Sequence, residues 1–167
     1  MSLQRFRQRY ERFLEWICIV LMAALAAEVA AGVVFRYSGH SLVWYDEVAT
    51  ILLAWVTFYG SALAVLKHAH MGVPEIVRML PPGPRVAAAV VAQLCTMAFF
   101  VLLAWVGYSI LEVLATDRLV SLPQVSVAYA NSAIPIGAVL FVVGQLLVFP
   151  EVLREARGEV MRAEEAA

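Results

Sequence analysis

Four long apolar runs constrain this chain more than anything else in it. They cover residues 13–35, 48–66, 86–111 and 129–149, and the last three contain no charged side chain. A helix needs about 20 apolar residues to cross the hydrocarbon of a bilayer, and all four runs meet that length. A backbone in lipid must satisfy its own N–H and C=O groups, which leaves helices or closed barrels. Short strands of alternating polarity are absent, so the runs predict helices. Composition agrees. The chain is 63% hydrophobic and 15% charged, whereas a soluble domain sits near half and a quarter. The predicted fold is an all-α integral membrane protein, one membrane domain with four transmembrane helices. No basic face with interleaved aromatics stands clear of the runs, so nucleic acid is not an expected partner.

The first run has a basic approach, "RFRQRYER", and small residues in "ALAAEVAAG". Both would suit a cleaved leader. The run continues past those alanines to Phe35, and we read it as an uncleaved anchor.

Lysine and arginine mark the cytoplasmic side of a membrane protein. Arg5, Arg7, Arg9 and Arg12, then Lys67, Arg78 and Arg85, then Arg154, Arg157 and Arg162 make ten on one side; Arg36 and Arg118 make two on the other. Both termini are therefore expected in the cytoplasm, with the first and third connections outside. Cys18 and Cys95 would lie at different depths, which argues against a disulfide.

In the middle connection, Val73, Ile76, Val77 and Leu80 recur at helical spacing, opposite Glu75 and Arg78. This predicts a short interfacial amphipathic helix over 73–80. The third connection contains Pro123 and is expected to pack on the protein's own outer rim. The tail from Pro150 reads as a solvated helix. Small residues recur one turn apart at Ala23, Ala27 and Ala31, at Gly60 and Ala64, and at Ala133 and Gly137, a spacing that lets helices approach closely in lipid.

The residues for chemistry are sparse. His40, His68 and His70 lie in connections, not inside spans as haem ligands would. His68 and His70 alone are too few for a metal site. Glu28 is the one acid deep in a run, without an acidic mate for hydrolysis. It is either a proton-coupled group or a side chain hydrogen-bonded to a neighbouring helix. No cofactor, metal or catalytic residue is expected.

A polar cluster lies between the first two runs. Arg36 ends one, and Asp46 and Glu47 begin the next. An ion pair from Arg36 to either acid is geometrically easy, and both acids suit a helix N-terminus. Tyr37, Trp44 and Tyr45 suit the headgroup layer.

Here the sequence resembles the small membrane subunit of tripartite ATP-independent periplasmic (TRAP) transporters, the DctQ-like family. The matching words are "VVFRY" (33–37), "SLVWYDEVA" (41–49), then Trp55, Phe58 and Gly60, then "SALAVLKHAHMGV" (61–73) with His70, and "YANSAIPIG" (129–137) with Pro135. The third connection lacks the aromatic that the family often carries after its proline, and Glu28 is outside the family pattern. The resemblance implies a non-catalytic scaffold in the bacterial inner membrane. Its partners would be a large membrane subunit, a periplasmic substrate-binding protein and lipid. Together they would import organic acids on an ion gradient, commonly sodium. Arg36, Tyr37, Trp44, Asp46, Glu47, Trp55, Gly60, His70 and Pro135 become candidate partner-contact or structural residues. The competing readings are a small four-span multidrug exporter using Glu28, and a membrane assembly factor.

Overall fold

The computed structural model describes residues 2–40, 42–67 and 81–157. The expected interfacial helix over 73–80 lies outside the described residues, as do His68 and His70. Among the described residues the regular structure is helical: α1 (Ser2–Tyr37), α2 (Tyr45–Leu66), α3 (Pro82–Leu114), α4 (Val127–Asn131) and α5 (Ala133–Ala156). Four helical segments are long and apolar enough to cross a membrane, with α4 and α5 forming the fourth.

The helices overrun the apolar runs that predict them. α1 has 36 residues, about 54 Å at 1.5 Å per residue, against roughly 30 Å of hydrocarbon. Its first turns are rich in Gln and Arg, good helix formers that need no lipid. It stops at Gly39, whose φ of +79° favours a residue without Cβ. Gly39 N–H donates to Arg36 C=O at 3.2 Å and His40 N–H to Phe35 C=O at 3.1 Å. This paired pattern closes the orphan carbonyls of the last turn.

α5 runs unbroken through Pro150 to Ala156, so over 150–156 the helix expected from residue 150 is continuous with the spanning helix. Pro150 removes one backbone hydrogen bond. Val148 and Ala156 on either side of it are buried, and that packing carries the helix past the proline.

The main helix contacts are α1 with α2, α2 with α5 and α5 with α3. The order across the layer is therefore α1–α2–α5–α3. Of these helices α5 is the most enclosed: Ala133, Ala138, Phe141, Gln145 and Val148 are all buried. At its two faces the fit is close. A Cβ on Gly137 would stand 2.5 Å from Phe58 Cβ, and one on Gly144 would stand 3.4 Å from Ala62 C=O. Across the other face Phe100 stacks on Phe141 with ring centroids 3.5 Å apart.

The small-residue spacing at Ala133 and Gly137 is used in this way. At Gly60 it is not: among the described residues a Cβ there would meet nothing within 4 Å. Ala23 and Ala27 are exposed.

Candidate functional site

Arg7 and Glu151 meet side chain to side chain, which places the start of α1 and the end of α5 at one end of the bundle. We call that end the base and the opposite end the rim.

The rim is built by α2, the connection 115–126 and α4. Glu47 lies in the first turn of α2. Its two carboxylate oxygens accept from Val120 N–H at 3.0 Å and Ser121 N–H at 2.8 Å. Among the described residues the expected pair from Arg36 to Asp46 or Glu47 is not formed; the ion pairs there are Arg7–Glu151, Lys67–Glu11 and Lys67–Glu15. The physical reason is competition. Two backbone N–H groups brought by a connection about 70 residues downstream hold Glu47, and a carboxylate at these donors gains two charge-assisted bonds.

That connection is itself ordered as expected for a segment packed on the rim. Leu119 and Ser126 are buried. Leu119 N–H donates to Val125 C=O at 3.1 Å and Val127 N–H to Asp117 C=O at 3.0 Å. The Ser126 hydroxyl accepts from Ala128 N–H at 3.2 Å and so starts α4. A cleft of about 300 Å³ opens beside Glu47, lined among others by Thr50, Ile51, Leu119, Val127 and Asn131.

The other candidate residues fall into separate places. Arg36 and Asp46 are exposed, and Tyr37 is 91% exposed. Trp44 directly precedes α2. Trp55 lies in α2, where it stacks on Tyr59 at 5.4 Å and packs against the core. Pro135 is buried in the first turn of α5, where its missing N–H costs no helical bond. It lines the close approach to Gly107 of α3, where a Cβ would stand 3.2 Å away.

The base carries a network that sequence reasoning missed. Besides Glu151, the Arg7 guanidinium donates to Leu66 C=O at 2.9 Å, pairing a carbonyl in the last turn of α2. Tyr10 hydroxyl donates to Leu140 C=O at 2.8 Å. Lys67 contacts Glu11 at 3.7 Å and Glu15 more closely. The Glu15 hydrogen bond and charge, helped by Glu11, push the Lys67 ammonium above its usual range. Arg7 thus ties together α1, α2 and α5. The available signal was the register: Arg7, Leu14 and Leu21 share a helix face whereas Arg5, Arg9 and Arg12 share another.

Glu28 and Gln145 carry polar atoms buried within the spans. Gln145 is 4% exposed and donates to Gln93 C=O on α3 at 3.3 Å. Glu28 lies one turn before Gly32, whose face of α1 meets the Tyr45 ring of α2. Its Oε1 is buried without a hydrogen-bond partner. Among the described residues no three His, Cys, Asp or Glu side chains gather as metal ligands.

These features define a helical membrane protein whose polar contacts are spent on joining helices and connections. Residues 25–155 match the family model of the DctQ component of tripartite ATP-independent periplasmic transporters, and the chain belongs to that family. It is 28% identical over 105 residues to the C4-dicarboxylate TRAP transporter small permease protein DctQ of Vibrio cholerae, a match that takes in 62% of this chain and 45% of that protein. It is 24% identical over 147 residues to the sialic acid TRAP transporter small permease protein SiaQ of the same organism, covering 87% and 84%. A putative TRAP transporter small permease protein of Haemophilus influenzae is 36% identical over 72 residues, covering 41% and 44%. The family is one of transport components.

Proposed function

We propose that this chain is the non-catalytic scaffold subunit of a TRAP importer in the bacterial inner membrane. It works beside a large membrane subunit that carries substrate and coupling ion, and a periplasmic binding protein that delivers the substrate. Both termini lie in the cytoplasm, as the ten-to-two split of basic residues supports. Import is driven by an ion gradient, sodium in this reading, and the cargo is an organic acid, the class named for two of its relatives.

The observation that carries the scaffold role is the stapling of the fold at both ends. Arg7 joins three helices at the base and Glu47 ties α2 to the connection 115–126 at the rim. A moving carrier needs ion sites at broken helices near the midplane; here α1, α2, α3 and α5 run continuously across that depth. On this reading the exposed rim residues Arg36 and Tyr37 face the binding protein, and Trp55 and Pro135 keep the helices in place.

Mild-detergent purification from native membranes tests the proposal. A large, many-span partner should copurify, and vesicles containing this chain alone should accumulate no solute. Robust uptake by the chain alone would overturn the scaffold role.

A further inference from the structure

α1 carries three arginines at its base that form no ion pair among the described residues. Arg5, Arg9 and Arg12 are exposed, and none of them takes part in the ion pairs there. Among the described residues, the acids nearest this end are engaged elsewhere: Glu11 and Glu15 with Lys67, and Glu151 with Arg7. The network that locks the base therefore turns its described carboxylates inward and leaves the guanidiniums outward.

Register sharpens this. Positions 5, 9, 12 and 16 follow i, i+4, i+7, i+11 spacing and form one stripe along α1. Below the arginines the stripe continues with Trp16, 69% exposed, and then with exposed Ile19, Val20 and Ala23. Read from the end of the helix inward, the sequence of chemistries is cationic, amphipathic aromatic, then aliphatic. A phospholipid presents the complementary order: phosphate, glycerol ester, acyl chain.

We infer that this face of α1 binds an anionic phospholipid, with its phosphodiester between Arg9 and Arg12, Trp16 at the ester level and an acyl chain along Ile19 and Val20. Arg9 and Arg12 are about 4.5 Å apart along the axis, close enough for both guanidiniums to reach one phosphodiester. Guanidinium forks suit phosphate oxygens, and a tryptophan at the interface keeps its ring in the ester layer. Basic residues beside a span draw anionic headgroups from the leaflet; here their fixed spacing above a tryptophan makes a site of that attraction. The inference needs only that α1 spans a membrane and is independent of any transport role.

The test uses the full chain in a neutral mild detergent. Phosphatidylglycerol should raise its Tm and phosphatidylcholine should not. The double variant Arg9→Gln with Arg12→Gln should keep the Tm of the parent in detergent and lose more than half of the phosphatidylglycerol shift. Arg154→Gln with Arg157→Gln, on α5 at the same end, should keep most of it. A full shift in the α1 variant, an equal response to phosphatidylcholine, or an equal loss in the α5 variant would overturn the site. If the α1 variant is itself less stable, native mass spectrometry decides instead: the parent should retain phosphatidylglycerol that the variant does not. Equal retention would also refute the proposal.

Discussion

Arg7 and Glu151 stand 144 positions apart and meet at the base of the bundle, where the same guanidinium also donates to Leu66 C=O. Three helices converge on one side chain. Arg7→Ala should lower stability by about 1–3 kcal/mol, the range for hydrogen bonds to charged groups and the orphaned partners they leave. Glu151→Ala should cost less, because Arg7 keeps its bond to α2. Unfolding in detergent, with the double variant completing the cycle, checks both.

Glu47 holds the connection 115–126 by two backbone N–H groups. Glu47→Ala should speed hydrogen exchange at Val120 and Ser121, and Glu47→Gln should fall between the variant and the parent because one oxygen acceptor remains. Exchange at Ala128, held by Ser126 rather than Glu47, should change less.

Three glycines should respond differently to alanine. Gly137→Ala would drive a methyl to 2.5 Å from Phe58 Cβ, and the helices would have to part, at a cost of about 1–3 kcal/mol. Gly32→Ala meets the edge of the Tyr45 ring, which can swing aside, so the loss should be smaller and report on Tyr45. Gly60→Ala meets nothing within 4 Å and should be neutral or gain up to about 1 kcal/mol from lower chain entropy. Thermal unfolding of the three variants orders them.

Lys67 is raised above its ordinary value of 10.5 by Glu15 and Glu11. A raised cation stabilises fully below its unfolded value, and that contribution disappears as pH climbs through the folded value. The difference in Tm between the parent and Lys67→Gln should therefore hold steady across neutral pH and shrink only in strongly alkaline solution.

Arg36 is exposed at the rim and free of Asp46 and Glu47. Arg36→Ala should leave unfolding unchanged. If the rim meets the binding protein, uptake by the assembled transporter should nevertheless fall severalfold. Transport assays beside thermal melts separate the two effects.

The four spans were legible because lipid imposes a minimum length of apolar residues that leaves few alternatives. Helix ends were not. The polar start of α1 stays helical because neighbouring helices supply partners and packing, and a window of residues does not show its neighbours. Arg36, Asp46 and Glu47 lie near one another in sequence, yet the partner of Glu47 came from a connection far along the chain. Adjacency in sequence suggested a pair; the tertiary fold offered better donors. Gly60 shows the same limit from the other side, since small-residue spacing marks a face that can pack without saying whether this chain packs it. Which arginine near the start turns inward was readable from helical register, but only once the buried stripe through Leu14 was known.

The layered order α1–α2–α5–α3 has a consequence for how the protein is made. A hairpin of α1 and α2 can assemble as soon as both have left the ribosome, whereas α3 is synthesised before the helix that will hold it. Until α5 arrives, α3 waits in the bilayer without its main neighbour, so a message cut short before codon 133 would strand it as an orphan span for quality-control proteases.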